Sequence, residues 1–119
     1  MNGPLPERYM NIGLSDIGIK EKDSTVVNAA LRDLCGKYHI RSLKVFGSVL
    51  KRTNKPQSDV DLLVEFEPGH TPGFAFARIA DELADLLGMT VDLHTEASLS
   101  KYFRSQVVQE AQVIYAEEE

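Results

Sequence analysis

The octapeptide DVDLLVEF, Asp59 to Phe66, restricts the fold more than any other stretch of the chain. Successive side chains of a strand point to opposite faces. Val60, Leu62, Val64 and Phe66 therefore share one side, and Asp59, Asp61, Leu63 and Glu65 the other. The first set is wholly apolar and must face a core. The carboxylates stand on the side away from it.

Helix and strand patterns alternate around this strand. Val27, Leu31, Leu34 and Tyr38 recur at three- and four-residue steps, which predicts a helix from about Ser24, with Asp23 or Ser24 as its cap. RSLKVF, Arg41 to Phe46, alternates as a strand, with Leu43 and Val45 on one face and Lys44 and Phe46 on the other. Gly47 stops it, SVLKR reads as a short helix, and TNKPQS as a loop. Beyond the central strand, Phe76, Ile79, Leu83 and Leu86 mark an amphipathic helix from Phe74 to Leu87, ended by Gly88. MTVDLHT gives a third strand. Tyr102, Phe103, Val107 and Ala111 suggest a last helix, and VIY a terminal strand. The fold class expected is α/β or α+β with a small mixed sheet. Residues 1–22, with Gly3, Pro4, Pro6 and Gly13, read as an arm, and 23–119 as one domain.

Bulk properties exclude several functions. The 119 residues carry a net charge of −5, three of those negatives being Glu117 to Glu119, which read as a solvated tail. A broad nucleic-acid-binding face needs clustered Lys and Arg, and the sole basic cluster is Lys51, Arg52 and Lys55. No apolar run approaches the ~20 residues that span a bilayer, and the N-terminus lacks the pattern of a secretory signal. Cys35, alone in the chain, forms no internal disulfide and reads as a buried small hydrophobe, which fits a reducing cytoplasm.

Asp59, Asp61 and Asp92 each lie in a strand, opposite its apolar face. If the second and third strands are neighbours, the three carboxylates converge. Unpaired carboxylates in one place repel and raise each other's pKa. A divalent cation removes that conflict; Mg²⁺ prefers carboxylates, waters and substrate phosphates, and a pair of such ions serves in-line displacement at phosphorus. Gly47-Ser48, at a strand end running into a helix start, offers backbone N–H groups and a hydroxyl to phosphate oxygens. Asp-x-Asp alone is weak evidence. Gly-Ser, ten residues, Asp-x-Asp on a strand and a later strand-borne Asp form a far more specific set.

At these residues the sequence resembles the minimal nucleotidyltransferases of the DNA polymerase β superfamily. FGSVLKRTNKPQSDVDLLVEF resembles their signature, and the likeness runs from Ser24 to Tyr115. The resemblance implies phosphate contacts at Ser48 with Gly47, metal binding at Asp59 and Asp61, and a third metal-binding carboxylate at Asp92 that helps activate the attacking hydroxyl. Where the family reads something like Ala-Arg-Gly, this chain has Leu50, Lys51 and Arg52; Lys51 keeps a positive charge, and the loop loses its glycine. The resemblance further implies an antitoxin encoded beside a HEPN-domain ribonuclease toxin. It would transfer AMP from ATP to a tyrosine of that toxin, with Mg²⁺, most simply two ions, as cofactor. Two alternatives stand beside this: neutralisation by binding alone, and transfer to a small-molecule acceptor.

Other polar and aromatic residues carry plainer expectations. His94 shares a face with Asp92 but reads first as a polar residue at a strand end. Glu65 lies ~13 Å along the strand from Asp61, outside a metal site. His70 reads as exposed in a Pro-Gly loop, and Tyr102, Phe103 and Tyr115 as packing residues.

Overall fold

The computed structural model describes residues 19, 21–46, 60–102 and 104–117. The elements in order are α1 (Glu21–Lys37), β1 (Ile40–Phe46), β2 (Val60–Phe66), α2 (Ala75–Leu87), β3 (Val91–His94), a 3₁₀ turn (Glu96–Ser98), α3 (Arg104–Glu110) and β4 (Gln112–Ala116). The four strands form one sheet in the order β3-β2-β1-β4. β1 is antiparallel to β2 and to β4, whereas β2 and β3 are parallel. The sheet is therefore mixed, as expected. Parallel neighbours need a crossover, and α2 supplies it.

The alternation of β2 emerges intact. Val60, Leu62, Val64 and Phe66 enter the main core with Leu43 and Val45 of β1, Leu93 of β3 and Ile114 of β4. Leu31, Leu34 and Cys35 of α1 and Ile79, Leu83 and Leu87 of α2 cover that face. Cys35 is fully buried, and burial pushes its thiol up to about 12. Gly88 ends α2 at φ 73°, its N–H donating to the Ala84 carbonyl. That left-handed backbone favours glycine.

Strict alternation fails in two places. Ile40 and Leu43 are both core residues although three positions apart, and the β1–β2 register shifts between Ile40 and Ser42 to allow it. A second shift, between Leu43 and Lys44 against β4, lets both Ile114 and Tyr115 reach the core. Irregularities of this kind turn a side chain to the other face.

The reverse face is not simply wet. Phe46 and Leu63 form a second small core with Leu99, on which Val107, Val108 and Ala111 pack. The 3₁₀ turn and α3 thus cover part of the face that carries the acids. Thr95 opens the turn with a reciprocal cap: its hydroxyl accepts from the Ser98 N–H at 3.2 Å, and the Ser98 hydroxyl accepts from the Thr95 N–H at 3.1 Å.

Three sequence expectations are corrected. α1 starts at Glu21, so Asp23 and Ser24 lie within the helix instead of at its boundary. Tyr102 precedes α3 and stands 87% exposed, its N–H donating to the Ser100 hydroxyl; it is not a packing residue. Glu117 is tied to Arg41 by a backbone hydrogen bond of 2.9 Å and an ion pair of 3.9 Å, so the acidic tail does not begin there. Phe103, the SVLKR helix and the TNKPQS loop lie outside the described residues.

Candidate active site

Asp61 is the second residue of β2 and Asp92 the second of β3. The parallel register pairs them directly, between Val60↔Val91 and Leu62↔Leu93. The ladder is anchored just ahead of them, where the Val60 N–H donates to the Thr90 carbonyl at 2.8 Å. Because the flanking apolar residues must face the core, both carboxylates must face away from it. The packing of two strands therefore fixes the pair, independently of any ligand.

His94, two residues beyond Asp92, joins them. Its Nε2 stands 3.2 Å from Asp92 Oδ2 and 3.5 Å from Asp61 Oδ1. The ring is held edge-on against Phe46, with centroids 5.4 Å apart, and Phe46 is itself paired with Asp61 across β1–β2. Asp61 and His94 are about three-quarters covered, whereas Asp92 is more than half exposed. Of the two described acids, Asp92 therefore sees the more solvent. One ligand atom from each of Asp61, Asp92 and His94 lies within 4.8 Å of the others.

Of the residues singled out from the sequence, the structure brings Asp61 and Asp92 together. Asp59, Gly47, Ser48, Lys51 and Arg52 lie outside the described residues. His94, read first as a bland strand-end residue, belongs to the cluster; its shared face with Asp92 was the available signal. Glu65 is kept out as expected: it is exposed and accepts from the buried Ser42 hydroxyl at 3.3 Å. A cavity of about 340 Å³ lies farther along the same face, lined by Ser42, Lys44, Leu63, Glu65, Thr95 and Val108 among others. It adjoins the carboxylates through Leu63 and does not enclose them.

The donor set fits a hard divalent cation. Two carboxylates held together on rigid strands repel unless a positive charge lies between them, and oxygen donors suit Mg²⁺. Asp61 and Asp92 would hold such an ion, with the His94 imidazole against both carboxylates. Paired strand-borne acids at one end of a small mixed sheet, with a βαβ crossover between the strands that carry them, are the arrangement of the polymerase-β-type nucleotidyltransferase fold.

The sequence pattern of the nucleotidyltransferase domain matches residues 27–114, and the chain belongs to that family, in its minimal form. The protein adenylyltransferase MntA of Thermococcus cleftensis is 33% identical over 96 residues, covering 80% of this chain and 93% of the relative. A solved structure described as a minimal nucleotidyltransferase is 37% identical, with a TM-score of 0.60 over 76% of this chain and 91% of its own. A complex of the tri-AMPylated Shewanella oneidensis HEPN toxin with its MNT antitoxin includes a chain that shares the fold. That chain has a TM-score of 0.55 and 21% identity, over 79% of this chain and 73% of its own.

Proposed function

We propose that the chain is an antitoxin that transfers AMP from ATP to a tyrosine hydroxyl of a HEPN-domain toxin, releasing pyrophosphate. The observation that carries the reading is the register-locked pair Asp61–Asp92 with His94 against both. Two likenesses support the rest: a relative named a protein adenylyltransferase, and a fold shared with a chain of a complex between an MNT antitoxin and an AMPylated HEPN toxin.

In this reading Asp59, Asp61 and Asp92 would hold Mg²⁺, which would supply Lewis-acid charge to the transfer. Ser48 and the Gly47 backbone hold phosphate oxygens, with Lys51 and Arg52 beside the leaving pyrophosphate. A tyrosine hydroxyl has an ordinary pKa of about 10 and is a poor nucleophile at neutral pH. Asp92, the exposed carboxylate, accepts its proton as the oxygen attacks the α-phosphorus. The new O–Pα bond forms as the bond from Pα to the β-phosphate bridging oxygen breaks, and pyrophosphate carries away that electron pair. Asp61 lies deeper in the site. His94 holds the two carboxylates in position.

Labelled ATP, Mg²⁺, the chain and the product of the adjacent gene test the reading. Label should pass to the partner protein and map to a tyrosine. Transfer should drop by on the order of 10² or more in Asp61→Asn and in Asp92→Asn. Full neutralisation of the toxin by the Asp61→Asn, Asp92→Asn double variant, with no label moved, would replace transfer by simple binding. Label on a small molecule alone would replace the acceptor.

A further inference from the structure

We propose that His39, Glu67 and His70 form a binding site for a borderline-soft divalent cation, with Zn²⁺ the best match, at the end of the sheet remote from the carboxylates. One ligand atom from each lies within 4.8 Å of the others. The His39 Nδ1 is 3.7 Å from Glu67 Oε1, and the two imidazoles stack with centroids 3.9 Å apart and planes 20° apart.

The backbone builds this convergence. His39 and Glu67 flank the cross-strand pair Ile40↔Phe66, and the Glu67 N–H donates to the His39 carbonyl at 2.9 Å. The His70 N–H donates to the Glu67 carbonyl at 3.0 Å, closing a tight turn through Gly69 at φ 82°. That turn returns His70 over His39. His39 itself has φ 58°, alone among the described non-glycine residues in being left-handed. Such a conformation is uncommon outside glycine and is found where surrounding structure holds it. Two left-handed residues and two hydrogen bonds thus place three ligating side chains together.

The donor chemistry separates this site from the active site. Two imidazole nitrogens and one carboxylate oxygen suit Zn²⁺, with a water completing four-coordination. Mg²⁺, which favours oxygen and gives up water reluctantly, is a poor match. Glu67, just past the end of β2, lies six residues from Asp61, roughly 20 Å at strand rise, so neither site feeds ligands to the other. Ligands of one tetrahedral zinc ion lie about 3.4 Å apart at the usual bond lengths. The present spacing therefore closes with a side-chain rotation that opens the ring stack. His39 and His70 are exposed, which leaves them free to make it.

The chain contains three histidines, so imidazole NMR reports the site directly. Zn²⁺ should be titrated into the tag-free chain with millimolar Mg²⁺ present, the His94 signals being assigned from His94→Ala. The His39 and His70 ring resonances should shift together and saturate at one equivalent. In His70→Ala, an exposed-loop change, the His39 response should weaken tenfold or more. Glu67→Gln should weaken both. No shift of either ring at ten equivalents would overturn the proposal, and so would a His39 response that His70→Ala leaves unchanged.

Discussion

His94 is the residue whose assignment changes most between sequence and structure. Its ring closes on both acids, at 3.2 and 3.5 Å, while its edge contact with Phe46 limits where it can swing. In the proposed reaction His94 would orient metal-holding carboxylates without touching substrate, and losing such a partner typically costs 10- to 100-fold. His94→Ala should therefore lower the transfer rate by about tenfold or more and raise the Mg²⁺ concentration needed for half-maximal rate. His94→Asn, which keeps a polar contact, should restore part of both. A rate loss with unchanged Mg²⁺ dependence would remove His94 from the positioning role. The sequence placed His94 on the correct face, but a strand pattern gives only the side of the sheet. It cannot say that a ring two residues on folds back onto its neighbour.

Among the elements, β2, β3 and α2 were legible because each obeys one periodicity. Val60, Leu62, Val64 and Phe66 alternate without error, and Ile79 and Leu83 repeat at helical steps, so faces could be read directly. What stayed hidden was non-local. Leu63 sits on the acid face and gains its cover from Leu99 and from α3, more than thirty residues away. The shifts near Ser42 and Lys44 depend on pairings with two different strands. Element ends are open to a paired test. Gly88 needs its left-handed φ of 73°, and an added Cβ meets nothing within 4 Å, so the cost of Gly88→Ala is conformational alone. It should destabilise by about 1–2 kcal/mol. Gly36 lies within α1, also with open space where a Cβ would go. Gly36→Ala should stabilise by about 0.5–1 kcal/mol. Urea midpoints should move in opposite directions for the two variants.

For the molecule as a whole, groups that titrate differently on folding make stability depend on pH on both sides of neutrality. On the acid side, Tyr38 donates to Glu82 and Lys37 lies 3.5 Å from it, joining the end of α1 to α2. The Tyr38 hydroxyl foremost holds the Glu82 pKa below its ordinary 4.5. The stabilisation is complete above that ordinary value and is lost as pH falls through the folded one. On the alkaline side, Cys35 and Tyr115 are neighbours in the core, and burial raises both pKa values. Below about 9 the Cys35 thiol keeps its proton whether the chain is folded or not. Between about 9 and about 12 the unfolded chain releases that proton while the folded chain retains it. Stability should therefore fall with rising pH by about 1.4 kcal/mol per unit for this one group. Cys35→Ala removes the thiol and with it that slope, whatever the variant costs at neutral pH. Unfolding in urea at intervals from pH 7 to 11 should show the natural chain losing stability from about pH 9. The variant should hold level until Tyr115, whose ordinary value is 10.0, begins to ionise in the unfolded state. Parallel curves for the two proteins would mean that the Cys35 thiol ionises as easily in the fold as out of it, and that the α1–sheet core admits water at that point.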